Sequence, residues 1–180
     1  MPVAYYMRFT KGRHGAPDRF GGLPTHLPPV FPVCPGSGQE MAFLAQFYCA
    51  PPRLGLPDTL CVQLYQALDV GEGGEPAPVA VRVPLGSFTN TDNRGTPQPR
   101  VVPHDAAWEE RMDPDAEPNF PDDLPLYGSK VGGLCLHSYL IGEAERFVMQ
   151  LKEEPGNFNF AGRTCIVCLS TDESLKVYLG

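Results

Sequence analysis

Cysteine spacing is the first feature of this sequence that could do chemistry. Cys165-Ile166-Val167-Cys168 has the two-residue spacing that serves zinc binding or disulfide exchange. The apolar residues between the thiols are typical of a core strand, and positions three apart on a strand point to opposite faces. We therefore expect both thiols to be buried and structural. The alternative is a metal site that combines them with Cys135 and His137.

Histidines and glycine-rich loops give no catalytic signal. The four histidines are widely separated, and none lies in a recognised catalytic motif. The glycine-rich run from Gly71 to Glu75 is acidic and would repel a phosphate. We therefore expect no metal, no cofactor and no catalytic residues, and we predict that the chain is not an enzyme.

Acidic residues are concentrated in one segment. Between Asp105 and Asp123 the chain has eight acids and one arginine, a net charge of −7 that equals the formal charge of the whole chain. Such a surface favours a basic protein partner and disfavours direct nucleic-acid binding. Aromatic residues among the acids could anchor an interface. The predicted partner-binding residues are Trp108, Glu109, Glu110, Asp113, Asp115, Glu117, Phe120, Asp122 and Asp123. The alternative is a solvated loop without a partner.

Short strands joined by many turns must position these residues. The 180 residues include 21 prolines and 19 glycines, well above average usage, which favours strands over long helices. Helix signals are sparse, and Asp105 could cap one short helix that ends at Met112. The predicted class is α+β with predominantly antiparallel β structure. No secretory signal or membrane-length apolar segment is evident, so we expect a cytoplasmic protein that does not bind membranes.

The chain repeats one pattern in two places. A glycine pair precedes an apolar run with a central glutamine, first as Gly21-Gly22 and Gln46, then as Gly132-Gly133 and Gln150. The glycines predict turns with positive φ or close backbone approach. A buried glutamine needs its amide satisfied, so we expect both glutamines to clamp neighbouring backbone. We predict one domain with two pseudo-repeated halves, approximately 1–85 and 126–180, joined by a loop-rich acidic segment, 86–125.

These motifs resemble a known family. Phe20-Gly21-Gly22-Leu23-Pro24 followed by Met41-Ala42-Phe43-Leu44-Ala45-Gln46-Phe47 resembles the first half of the YwqG-like family. Its second signature resembles the run from Gly128 to Gly133, followed by Phe147-Val148-Met149-Gln150-Leu151. The chain is more weakly similar to the programmed-cell-death-2-like proteins. The resemblance implies a β-rich fold with two similar halves and no established catalytic activity.

The resemblance also implies a function and one departure from the family. Relatives often have a Cys-x-x-Cys-Gly knuckle where this chain has Cys34-Pro35-Gly36-Ser37-Gly38, and the missing second thiolate argues against a structural zinc. Some bacterial relatives are immunity proteins, so the first hypothesis is an antitoxin that neutralises a cognate toxin such as a secreted nuclease. The second is a chaperone or assembly adaptor for a basic client such as a ribosomal protein.

Overall fold

Ten strands form most of the ordered chain. A computed structural model describes residues 3–11, 17–67, 77–91, 103–113, 128–135, 137–153 and 160–180, without the side chains of residues 9–11 and 112. Within these ranges the helical content is one short 3-10 turn, Ser138–Leu140, and no helix is long and apolar enough to cross a membrane. The strands are β1 Val3–Lys11, β2 Arg19–Phe20, β3 Ala42–Tyr48, β4 Thr59–Gln66, β5 Pro78–Pro84, β6 His104–Met112, β7 Lys130–Gly132, β8 Arg146–Lys152, β9 Thr164–Leu169 and β10 Leu175–Leu179.

All ten strands belong to one antiparallel sheet. Their order is β10-β9-β8-β7-β1-β6-β2-β3-β4-β5, and the two edge strands, β10 and β5, lie in contact, so the sheet is nearly closed into a barrel. The prediction of predominantly antiparallel β structure is confirmed. The helical part of the predicted α+β class has no counterpart in the described residues beyond the 3-10 turn.

Strand β6 replaces the short helix predicted from Asp105 to Met112, so that prediction is wrong. All nine residues of β6 pair with β1, from His104 opposite Lys11 to Met112 opposite Val3. Residues on one face, Ala106 and Trp108, join the main core. Cross-strand pairing of this length outweighs a local cap signal. The connecting segment that we expected to be rich in loops therefore contributes a central strand of the sheet.

Strand order has an internal regularity. Strands β1 and β6 lie side by side at the centre, β7 to β10 extend from β1, and β2 to β5 extend from β6. If each of the first five strands is exchanged with the strand five places later in the sequence, the same order results, read from the opposite edge of the sheet. Strand β1 pairs with β7 on its other side, and β6 pairs with β2.

The core lies mainly inside the barrel. Alternate residues of the strands face inward and form one large cluster, which includes Phe20, Phe47 and Met149. A smaller cluster on the outside of β3 and β4 contains Phe43 and Tyr65, and the partly buried Phe31 covers it from the proline-rich loop. Strands β3 and β4 are therefore buried on both faces, as their continuous apolar runs predict.

The glycine and glutamine predictions are confirmed. Positive φ angles of 64°, 71°, 70° and 73° occur at Gly21, Gly22, Gly132 and Gly133. The side chains of Gln46 and Gln150 are fully buried. Their Nε2 atoms donate to backbone carbonyls, Gln46 to Pro17 at 2.8 Å and Gln150 to Gly128 at 3.0 Å.

Candidate binding surface

Asp113 directly follows β6, at the point where the acidic segment leaves the sheet, and its side chain is buried in the protein. Its side chain is fully buried and accepts three hydrogen bonds. Tyr6 Oη donates to Oδ1 at 2.7 Å, and Lys130 Nζ and the Leu134 amide donate to Oδ2 at 2.7 Å and 2.6 Å. The expectation of an exposed, steering carboxylate is therefore wrong for Asp113. Its charge is compensated internally by a buried lysine.

Two residues that contact the Asp113 carboxylate, Gly133 and Tyr6, have properties that its burial requires. Gly133 approaches so closely that a Cβ atom there would lie 2.3 Å from Asp113 Oδ2. Tyr6 is buried, and burial and then the hydrogen bond to Asp113 raise the pKa of its hydroxyl. A protonated tyrosine is the form that donates to a carboxylate. The carboxylate that directly follows β6 is thus held by donors from two parts of the chain, Tyr6 of β1 and the β7 region with Lys130 and Leu134.

Glu109, on the outward face of β6, is neutralised by its neighbours. Arg111 donates from Nε to Glu109 Oε1 at 2.7 Å, and Arg8 forms an ion pair with Oε2. The hydrogen bond from Arg111 lowers the pKa of the Glu109 carboxyl. Glu109 therefore lies on the surface, as predicted, but two arginines compensate its charge.

Glu110 differs from its neighbour on the strand. It is exposed and lies directly opposite Tyr5 of β1, on the same face of the sheet as Trp108. Burial and then the charge of Glu110 raise the pKa of Tyr5, whose side chain hydrogen bonds to Glu110. No ion pair joins Glu110 to a cation in the described part of the chain. Glu110 is therefore exposed and, among the described residues, has a tyrosine and not a cation as its neighbour across the ladder.

Trp108 belongs to a structural cluster behind Glu110. Its Nε1 donates to Asp18 Oδ2 at 2.7 Å, and its ring packs edge-on against Phe47 with centroids 5.8 Å apart. The Arg53 guanidinium lies 4.1 Å from the ring centroid and forms an ion pair with Asp18 at 2.7 Å. The indole is partly buried and has its own partners. Trp108 therefore contributes mainly to packing at this end of the barrel, and less to an exposed anchor for a partner.

The remaining predicted residues lie outside the described ranges. Asp115, Glu117, Phe120, Asp122 and Asp123 follow Asp113 by two to ten positions in the sequence. The sequence gives no indication of three residues that pack beside Trp108 and Glu110, the buried Asp18 and the partly buried Tyr5 and Arg53. The run Ala4-Tyr5-Tyr6-Met7 does not reveal which tyrosine faces Glu110, because that depends on pairing with a strand about a hundred residues away.

Cysteines contribute packing at this and other sites. Cys61, Cys165 and Cys168 are fully buried, and burial raises the pKa of each thiol, so none is a ready nucleophile. Cys34 is half-buried, and hydrogen bonds from Ser37 lower the pKa of its thiol. Across the described residues no group of three or more His, Cys, Asp or Glu side chains could hold a metal ion.

Comparison with known proteins leaves the family open. No protein-family model matches the chain, and no curated protein sequence is significantly similar to it.

Proposed function

We propose that this chain is a non-catalytic protein-binding domain of the cytoplasm, and that it is an immunity protein which neutralises a basic toxin such as a nuclease. This is the role that the resemblance to YwqG-like immunity proteins implies. The observation that carries the proposal is the end of β6, where the exposed Glu110 precedes the buried Asp113 by three residues. The acidic run that follows therefore begins at a fixed residue, close in sequence to an exposed carboxylate that forms no ion pair with a described cation.

Charge at this point suits a basic partner. Four acids follow Asp113 within ten residues, at 115, 117, 122 and 123, and Glu110 precedes it. A concentrated negative potential speeds the encounter with a positively charged protein, often by one to three orders of magnitude at low salt. Anchoring of Asp113 restricts where the segment can start, which reduces the conformational entropy lost on binding.

Buried thiols and paired charges support a non-catalytic role. Asp18 and Asp113 are buried carboxylates, and each is tied to a cation within the fold. Burial raises the pKa of the thiols of Cys49 and Cys135 as well as those of the three core cysteines. Buried thiols with a raised pKa are inert as nucleophiles, and carboxylates already paired with a cation inside the fold are out of reach of a substrate proton.

We also infer that the chain arose by duplication, with β1–β5 as one half and β6–β10 as the other, so that the second half begins at β6 and not near residue 126 as predicted. Under exchange of strands, Arg19 opposite Gln46 corresponds to Lys130 opposite Gln150. The clamps are equivalent too, because each glutamine donates to the carbonyl two residues before the basic residue. Both β3 and β8 have a bulge three positions before the glutamine, at Phe43 and Phe147.

Backbone contacts in the two halves support the same inference. The amide of Ala106 donates to the carbonyl of Asp18, and that of Met7 donates to the carbonyl of Ser129, both at 2.9 Å. The same two acceptor residues also receive an amide bond on their side chains, from Tyr48 and Lys152. The halves interlock through their first strands, so they form one domain.

Affinity capture from the native cell tests the function. The tagged chain is used as bait beside two charge-swap pairs, E110K/D115K and E40K/E143K, which change the net charge equally. Glu40 and Glu143 are exposed and lie far from β6 in the sequence. We expect the wild type and the E40K/E143K bait to retain one basic, stoichiometric partner that the E110K/D115K bait loses. Equal recovery on all three baits would contradict the proposed surface.

A chaperone or assembly adaptor is the second candidate, and exposed apolar side chains favour it. Val30, before β3, and Phe88, after β5, are 77% and 85% exposed. Exposed apolar groups of this size can bind unfolded segments. A chaperone should prefer unfolded or nascent client, whereas an immunity protein should bind folded toxin. Comparing the captured partner in its native and its urea-unfolded form distinguishes the two candidates.

A further inference from the structure

The two edge strands of the sheet meet without pairing. Every pair of neighbouring strands from β10 to β5 forms an antiparallel ladder, but no backbone hydrogen bond joins β5 to β10 in the described chain. Leu175, Val177 and Leu179 of β10 pack against the main core and remain half-buried. We call this junction the seam. Side chains hold it closed, whereas backbone ladders join the other strands.

Arg82 of β5 crosses the seam at one end. Its Nη1 donates to the Glu173 carbonyl at 2.8 Å and lies 3.5 Å from the exposed Glu173 carboxylate. Its Nε donates to Thr59 Oγ1 at 2.9 Å, and its Nη2 donates to the Pro57 carbonyl. One guanidinium thus ties β5 to the start of β4 and to the turn between β9 and β10.

That turn is built to present the Glu173 carbonyl. Glu173 has a φ of 63°, a conformation that L side chains rarely adopt. Asp172 holds it there by accepting bonds from the Ser170 hydroxyl and from the amide of Ser174, the latter at 3.0 Å. These bonds keep the pKa of the Asp172 carboxyl well below its usual range. The acceptor of the Arg82 bond is therefore fixed in place.

We propose that β5 and β10 can separate at the seam, which therefore acts as a gate in the barrel wall. The hydrogen bond from Arg82 to Glu173, which we call the clasp, keeps the gate closed. Among the described residues, parting β5 from β10 breaks no ladder, so its cost there is the contact of Arg82 with Glu173 and the packing of half-buried side chains of β10. Local opening occurs where few contacts and few backbone bonds must be lost. With the clasp closed, β5 and β10 shield each other's edges, which would otherwise be free to pair with another chain.

Two native cysteines report on the gate. Cys165 faces the barrel interior and lies directly opposite Leu179 of β10, whereas Cys61 faces the other side of the sheet on β4. Both are fully buried. Seam opening should expose Cys165 alone, whereas global unfolding should expose both. Maleimide labelling of the full chain, with each site followed by peptide mass spectrometry, therefore separates the two events.

Arg82→Met tests the clasp. We expect it to raise the labelling rate of Cys165 about tenfold, the factor that loss of one charge-assisted hydrogen bond gives, and to leave the rate at Cys61 unchanged. Lys176→Met is the matched control, because Lys176 is a cation of β10 whose partner is Glu145. It should change neither rate, and Glu173→Ala, which keeps the carbonyl, should change neither.

An equal rise at both cysteines, or no rise at Cys165, would overturn the gate. Should Arg82→Met fold poorly, Arg82→Lys gives the same test, because it keeps the charge but lacks the guanidinium fork that reaches three acceptors. It should raise the ratio of Cys165 to Cys61 labelling, and an unchanged ratio would again contradict the proposal.

Discussion

Gly133 determines whether the Asp113 side chain can remain buried. Its φ is +73°, and a Cβ atom at this position would lie 2.3 Å from Asp113 Oδ2 and 2.7 Å from Ala4 Cβ. The neighbours cannot retreat easily, because Asp113 is fully buried and held by three donors. One hydrogen atom in place of a methyl group thus permits the buried Asp113–Lys130 pair.

Gly133→Ala should therefore destabilise the protein strongly. We expect a loss of about 3 kcal/mol or more, since a positive φ costs about 1 kcal/mol and overpacking adds 1–3 kcal/mol. Gly38→Ala is the matched control, because Gly38 has a φ of +68° with no atom near its Cβ position. It should lose only about 1 kcal/mol. Urea unfolding of both variants measures the difference, and equal losses would show that the contact with Asp113 does not matter.

Local chemistry made some residues predictable. Positive φ at the glycine pairs and satisfied amides at Gln46 and Gln150 follow from the needs of the residues themselves. The burial of Asp113 does not follow from its neighbours in sequence, because its donors, Tyr6, Lys130 and Leu134, come from elsewhere in the chain. An acid within an acidic run gives no local sign of a distant lysine.

Strand β6 is the element at which local and long-range preferences conflict. Asp105 and the Asp113-Pro114 pair are ordinary helix boundary signals, yet the nine residues His104–Met112 pair as a strand with Val3–Lys11 of β1. The apolar runs around Gln46, Gln150 and Cys165 correctly predicted β3, β8 and β9, because burial on both faces is visible in a strand's own sequence. The order of the strands was not predictable, since it depends on contacts between the halves.

Ala107 tests the strand assignment of β6. It is exposed, at the centre of the β1–β6 ladder opposite Arg8. Ala107→Val should raise the free energy of unfolding by up to about 0.5 kcal/mol, because β-branched residues suit a strand. In a helix the same change would lower it by a similar amount. Ala144→Val, in an exposed turn, should give no such gain. A loss at Ala107 in thermal and urea unfolding would contradict the strand.

Over the whole molecule, the acidic excess is confined to one stretch of a chain that is otherwise formally neutral. The barrel compensates two of the predicted surface acids, Glu109 with arginines and Asp113 with a lysine. Glu110 and the acids that follow Asp113 therefore account for the proposed steering. The proposed steering is a long-range electrostatic attraction, which salt should screen.

Electrostatic steering by the acidic end of β6 is tested most directly by the association rate of the captured partner. Stopped flow measures this rate at low and at physiological salt. For the wild type and E40K/E143K we predict fast association that slows steeply as salt rises. For E110K/D115K we predict a rate lower by about tenfold or more at low salt, with a weaker salt dependence. If all three proteins associate at the same rate and with the same salt dependence, the acidic end of β6 is not the binding surface.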